Sequence, residues 1–286
     1  MGKDMRQVYV DTLIELAEED KRICVLEADL MNATGTKRFK ELFPERFFDV
    51  GVAEANMVGI ASGLSSEGKI PFAASFCTFA SRRTFDQFFL SANYAQLNVK
   101  LVGTDPGVTA QFNGGTHMSF EDIGMMRLIP HLVIIEPADI VSCAKLVRLA
   151  ASHSGSLYLR LHRKGSNALY EENEQFELGK GKVLRDGSDV CLIATGFVMV
   201  PEALRAAELL QQQGISAAVI DMHTIKPLDS QLVLRYAEKT GALISCENHQ
   251  VIGGLGGAVA EVLAGESAAV LERVGVEEEF GQVGTL

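Results

Sequence analysis

Glu54 stands in an apolar stretch, Val52-Ala53-Glu54-Ala55-Asn56-Met57-Val58, that offers it no neighbouring cation. A carboxylate in the first turn of a helix is favoured by the helix dipole, and that is its ordinary structural role. A buried carboxylate without a cation instead holds a proton or shares one with a ligand, which is acid–base chemistry. Phe76 and Phe79 follow a later apolar run and read either as core aromatics or as a stacking platform. Arg82 and Arg83 lie just beyond them. Two guanidiniums there suit an anionic or phosphorylated ligand, or else a solvated helix face. In Asn113-Gly114-Gly115-Thr116-His117 the glycines let backbone approach a ligand, and the imidazole moves protons near neutral pH. Arg160, Arg163 and Lys164, around His162, make a second cationic spot. His223 and His249 have no metal-ligand spacing and read as structural.

These groups sit where strands end. Apolar, β-branched runs at 23–28, 47–51, 70–76, 99–103, 131–137 and 157–161 read as strands. Between them, 11–19, 53–64 and 78–95 read as helices, and Asp139 is a plausible N-cap for another. Residues 164–188 are polar and glycine-bearing, a linker with an extended arm. A second series follows, with strands at 190–194, 217–220 and 242–246 and helices at 201–213 and 231–239. The expected fold is α/β, with two open, mostly parallel sheet domains at 1–168 and 186–286 and a linker at 169–185. Open parallel sheets bind ligands at the carboxyl ends of their strands. The run Gly253-Gly254-Leu255-Gly256-Gly257 resembles a phosphate cradle, but no Lys-Ser or Lys-Thr follows it. A tightly packed helix start is the expected reading.

Composition narrows the classes. The chain has 286 residues, enough for two domains and a sizeable core without staples. Its 26 basic and 37 acidic side chains give a formal charge of −11, so nucleic acid and anionic membrane surfaces are not expected partners. The five cysteines form no CxxC pair and sit in apolar stretches, as in a reducing cytoplasm. No signal peptide and no 18-residue apolar run is read.

Taken in order, the motifs are specific. Asp49-Val50-Gly51-Val52-Ala53-Glu54-Ala55-Asn56-Met57-Val58-Gly59 resembles the pyrimidine-domain motif of transketolases. So do Ser75-Phe76-Cys77-Thr78-Phe79-Ala80-Ser81-Arg82-Arg83, Gly115-Thr116-His117 and Glu136-Pro137-Ala138-Asp139. Ile193-Ala194-Thr195-Gly196, the run Met222 to Asp229 and Glu247-Asn248-His249 resemble the transketolase C-terminal domain. The resemblance spans nearly the whole chain and extends to 1-deoxyxylulose-5-phosphate synthases and, more loosely, to 2-oxo acid dehydrogenase β subunits.

The resemblance implies thiamine diphosphate chemistry. Glu54 matches the glutamate that hydrogen-bonds the cofactor's pyrimidine ring and, with His117, is the implied catalytic pair. Phe76 and Phe79 match aromatic positions on the pyrimidine, and Asp29 an acidic residue near the cofactor pocket. His117, Asn113 and Asp105 match substrate positions. Arg82, Arg160 and Arg163 match positions that hold substrate phosphate. The family's diphosphate domain carries Gly-Asp-Gly, which is not found here; Mg²⁺ needs several oxygen ligands, the diphosphate among them. A partner N-terminal subunit is therefore expected to hold Mg²⁺ and diphosphate, with the pyrimidine domains self-associating in a dimer of heterodimers. Asn113 and Met118 stand where the family has Asp and Gln, and Asp105 where many members have a phosphate-contacting histidine. A carboxylate in place of a cation weakens anion binding. The expected activity is two-carbon ketol transfer between sugar phosphates, with an unusual or branched sugar of the apulose 4-phosphate type. A decarboxylating synthase-like subunit and a non-catalytic assembly subunit are the rivals.

Overall fold

The computed structural model describes residues 3–286. The first unit runs α1 (Met5–Glu19), β1 (Ile23–Glu27), α2 (Met31–Thr34), α3 (Lys37–Leu42), β2 (Phe47–Asp49), α4 (Glu54–Ser66), β3 (Ile70–Phe76), α5 (Cys77–Arg82), α6 (Phe85–Gln87), β4 (Lys100–Thr104), α7 (Asp122–Arg127), β5 (Val133–Ile135), α8 (Ile140–Ser152) and β6 (Leu157–Leu161). The second runs β7 (Lys182–Arg185), β8 (Val190–Ala194), α9 (Gly196–Gln212), β9 (Ala217–Asp221), β10 (Thr224–Lys226), α10 (Ser230–Thr240), β11 (Ala242–Gln250), α11 (Leu255–Leu263) and β12 (Val270–Val276).

Strands β1, β3, β4 and β6 are buried along their whole length, as strands of a parallel sheet covered on both faces are. The first sheet has the order β10-β5-β6-β4-β3-β1-β2 and the second β12-β11-β8-β9-β7. Helices cover both faces of the first sheet. Tyr9 and Leu13 of α1 and Leu146 and Val147 of α8 pack on one side; Met57 and Ala61 of α4 and Met126 of α7 pack on the other. Asp139 caps α8 as expected, its carboxylate accepting from Ser142 N at 2.6 Å.

Several elements differ from the sequence expectation. The single helix expected over 78–95 is broken into α5, α6 and a wide π-helical turn at Phe88–Tyr94. Ser81 and Thr84 hydroxyls there bond carbonyls four residues back, which bends helices. Within the stretch read as linker, β7 pairs antiparallel with β9 and so belongs to the second sheet. β10 leaves its own unit and pairs antiparallel with β5 at the edge of the first sheet. β12, read as no element, is a largely exposed edge strand; its Glu272 and Arg273 suit an edge and hide the strand pattern.

Candidate functional site

The parallel strands bring their carboxyl ends to one edge, and the candidate groups gather there. Glu54 follows β2 as the first residue of α4 and is 4% exposed. Its Oε1 accepts from Arg83 Nη1 at 2.8 Å. The expectation that Glu54 has no cation is therefore corrected: the cation comes from 29 residues away. Arg83 lies over the Phe79 ring at 4.0 Å. Among the described residues no donor bonds Glu54 Oε2. Phe76 ends β3, and its ring centroid is 6.0 Å from that of Phe79. His117 stands edge-on to both rings, at 5.2 Å from Phe79 and 6.0 Å from Phe76, and its Nδ1 is 2.9 Å from Thr116 Oγ1. Glu54, Arg83, Phe79, Phe76 and His117 thus form one contiguous group. Arg83 was legible as a cation but not as the partner of Glu54; its spacing of four from Phe79 on a helical run is the signal for their contact.

The anionic end is built beside Phe76. In the sheet register Thr104 pairs with both Phe76 and Leu161, so Asp105 and Arg163 emerge next to each other. Asp105 N donates to Leu161 O at 3.2 Å, and Arg163 Nε lies 2.9 Å from Asp105 Oδ2. Arg163 also faces the Phe76 ring at 5.4 Å. Burial pushes the Asp105 carboxyl up, against the pull of Arg163. Arg82 is half-exposed, bonded to Thr78 and 3.1 Å from Glu121. Asn113 is exposed at the end of the 107–113 turn. The glycines after it have a different use from the one expected. A Cβ on Gly115 would stand 1.9 Å from Gly281 O, so the close approach is made by the chain's own C-terminal segment. Asp29 is exposed beyond β1, and its N–H donates to Asp49 Oδ1 at 2.9 Å, which ties it to β2 rather than to the aromatic pair.

Arg160 is a correction. It is 0% exposed, and all three of its guanidinium nitrogens are engaged. Nε meets Asp122 Oδ2 at 2.8 Å, Nη1 meets Glu136 Oε1 at 2.6 Å, and Nη2 donates to Asn248 O at 2.8 Å. It has no face left for a phosphate and instead joins the two units. Burial pushes Glu136 up despite Arg160; burial acts likewise on Asp122, but there Arg160 prevails and the carboxyl stays below its usual range. His162, stacked on Phe197 at 4.3 Å, and His249, whose Nε2 accepts from Gly124 N, also lie in this seam. The glycine run cradles a carboxylate, as a tightly packed helix start would. Glu247 Oε2 accepts from Leu255 N at 2.6 Å and Oε1 from Gly256 N at 2.8 Å. A Cβ on Gly254 would lie 1.8 Å from Glu247 Oε2.

Among the described residues no three His, Cys, Asp or Glu side chains converge as a metal site, and no helix is long and apolar enough to cross a membrane.

The family comparison covers both units. Residues 1–167 match the transketolase pyrimidine-binding domain and residues 179–284 the transketolase C-terminal domain. The chain belongs to the transketolase family. Over 280 residues it is 52% identical to the 6-deoxy-6-sulfo-D-fructose transketolase subunit SqwH of a Clostridium species, covering 98% of this chain and 87% of that protein. It is 36% identical to one of the subunits of the apulose-4-phosphate transketolase of Phocaeicola vulgatus, covering 96% of this chain and 88% of that protein. A solved structure described as a split gene transketolase, inactive beta4 tetramer, superposes with a TM-score of 0.91 at 42% identity, covering 99% of this chain and 92% of that one.

Proposed function

We propose that this chain is one subunit of a two-chain transketolase that moves a two-carbon ketol unit from a ketose to an aldose through thiamine diphosphate. The observation that carries it is Glu54, a buried carboxylate with one oxygen held by Arg83 and the other without a protein donor, beside a paired aromatic platform. That donor set fits the pyrimidine half of the cofactor: Glu54 would accept a ring N–H, and Phe76 and Phe79 would pack on the ring. When bound, thiamine diphosphate supplies the nucleophilic carbon and the electron sink for cleaving the bond beside a ketose carbonyl.

The chain's own residues bind and orient. Arg83 fixes the Glu54 carboxylate against the Phe79 ring. His117 exchanges a proton with a sugar hydroxyl, or donates to its oxygen, from the edge of the same platform. Arg163 and Arg82 hold the anionic end of the sugar, and Asn113 and Asp105 meet its polar groups. Mg²⁺ and the diphosphate are held by a partner N-terminal subunit, and the working particle is a cytoplasmic dimer of heterodimers. Relatives described as subunits, of which this chain spans 87% and 88%, support the two-chain reading.

The test is reconstitution with the partner that carries Gly-Asp-Gly. Ketol transfer by the pair and not by this chain alone is expected, and Glu54→Gln lowers it by orders of magnitude with assembly intact. Turnover by the chain alone overturns the two-chain reading. Pyruvate as the better donor turns it to the decarboxylating one, and unchanged turnover in Glu54→Gln to a role in assembly alone.

A further inference from the structure

Arg163 is paired in an unusual way for a structural ion pair. Only its Nε meets Asp105, and among the described residues neither Nη1 nor Nη2 has a protein acceptor. A guanidinium fixed for stability alone favours the bidentate fork. Here the outer edge of the fork is left for a ligand. Asp105 is 3% exposed, sits at φ +55°, and its Oδ2 lies within ion-pair distance of Arg163 but accepts no hydrogen bond. A buried non-glycine residue at positive φ, with a carboxylate oxygen unspent, is held there by its surroundings. The sheet register places both residues beside Phe76, on the rim of the site described above.

The charge arithmetic of this pair has a consequence. Arg163 and Asp105 sum to zero, as do Arg82 and Glu121, and Lys164, which also pulls on Asp105, is exposed and screened by solvent, so a ligand gains the hydrogen bonds of the free fork but little net Coulomb attraction. A phosphate carries about −1.5 to −2 at pH 7. It brings more charge to be stripped of water than a sulfonate does, with little extra attraction in return. Resting on the transketolase reading, we propose that Asp105 sets the charge selectivity of the sugar's far end, so that Arg163 recognises a singly charged, sulfonate-type oxyanion in preference to a phosphate dianion.

Two ketose donors of the same skeleton test it: 6-deoxy-6-sulfofructose and fructose 6-phosphate, with the chain in complex with its diphosphate-domain partner at about pH 7.5, where the phosphate is mostly dianionic. Asparagine tolerates the left-handed backbone, so Asp105→Asn removes the charge with little change of shape. The expected result is a rise of about tenfold in the phosphate-to-sulfonate ratio of kcat/KM. A phosphate-to-sulfonate ratio that moves by less than about twofold overturns the proposal while ketol transfer stands. Should Asp105→Asn fail to fold, Asp105→Gly, which takes the same positive φ and removes the carboxylate, carries the test by the same ratio. Absence of ketol transfer from either donor, and from an uncharged ketose, overturns the functional reading and this proposal with it.

Discussion

Two regions of this chain are made of the same parts. The edge of the first sheet and the seam between the units each hold arginine, carboxylate and histidine side chains and a glycine-bearing turn. At the edge, Glu54 meets Arg83 through one oxygen, and Arg163 meets Asp105 through one nitrogen. In the seam, Arg160 spends every nitrogen on Asp122, Glu136 and Asn248, and Glu247 fills the glycine turn with both oxygens. Residue type therefore does not separate a binding site from a structural joint. What separates them is how the guanidiniums are spent. Arg160, with all three nitrogens on protein acceptors, ties two units together; Arg163, with only Nε engaged, leaves its outer edge for a ligand.

The comparison breaks first at Glu54. Glu54→Gln is expected to lower ketol transfer by about 10²–10⁴-fold, the range for a lost proton-transfer partner. Because Arg83 is about half exposed, its pair with Glu54 is screened and the stability change stays within about 1 kcal/mol. Steady-state kinetics beside a urea titration check both halves. Arg160→Met should do the reverse. It leaves Asp122 and Glu136 buried without their cation, which costs roughly 3–5 kcal/mol of stability. A raised KM for phosphorylated sugars at unchanged stability would instead return Arg160 to the site.

A pH titration sharpens the seam's half of the comparison. Burial pushes Asp221 up to about 7, partly offset by the Tyr170 hydroxyl that donates to it at 2.7 Å and reinforced by Asp139 and Glu136. Burial likewise pushes Glu247 up to about 7, against the N–H groups of Gly256 and Leu255. An acid whose folded pKa is raised binds more protons when folded. Its contribution is complete below the unfolded value near 4 and is lost as pH rises through the folded value near 7. Stability should therefore fall between about pH 4 and 7, by up to about 1.4 kcal/mol per pH unit for each such group. Asp221→Asn keeps an acceptor for Tyr170 and should flatten that slope; an unaltered slope removes Asp221 as its source.

Much of this was legible in the chain, and the remainder was hidden for physical reasons. Buried parallel strands announce themselves as mostly apolar runs, so 70–76 and 157–161 emerge with the expected bounds even with Arg160 inside the second. Glu54 and the Phe76–Phe79 pair were legible as candidates because an acid in an apolar stretch and two rings lie just past strand ends, although each alone also reads as an ordinary first-turn acid or core aromatic. Arg83 as the partner of Glu54 was not legible, because 29 residues and a strand separate them. Arg160 was misleading for the same reason: its carboxylates come from α7 and from beyond β5, and nothing local shows their convergence. β10 was hidden because three residues cannot show which sheet they will join. The glycine run was half legible. Its missing lysine spoke against phosphate, but only the fold reveals Glu247 as the group it cradles.

The smallest expected effect lies at Arg82, and it tests how far the open edge extends. Arg82 is 48% exposed, and its ion pair with Glu121 at 3.1 Å is a surface pair of modest worth. Arg82→Ala should change stability by no more than about 0.5 kcal/mol. If the guanidinium reaches the anionic end of the sugar, KM for phosphorylated ketoses rises by roughly threefold to tenfold at nearly constant kcat, the signature of binding shared by ground and transition states. Glu121→Gln supplies the opposite sign. It frees Arg82 from its partner and should lower the same KM, where loss of a merely structural pair would leave it alone. Unchanged KM in both variants would put Arg82 among the surface pairs and leave the anionic end to Arg163.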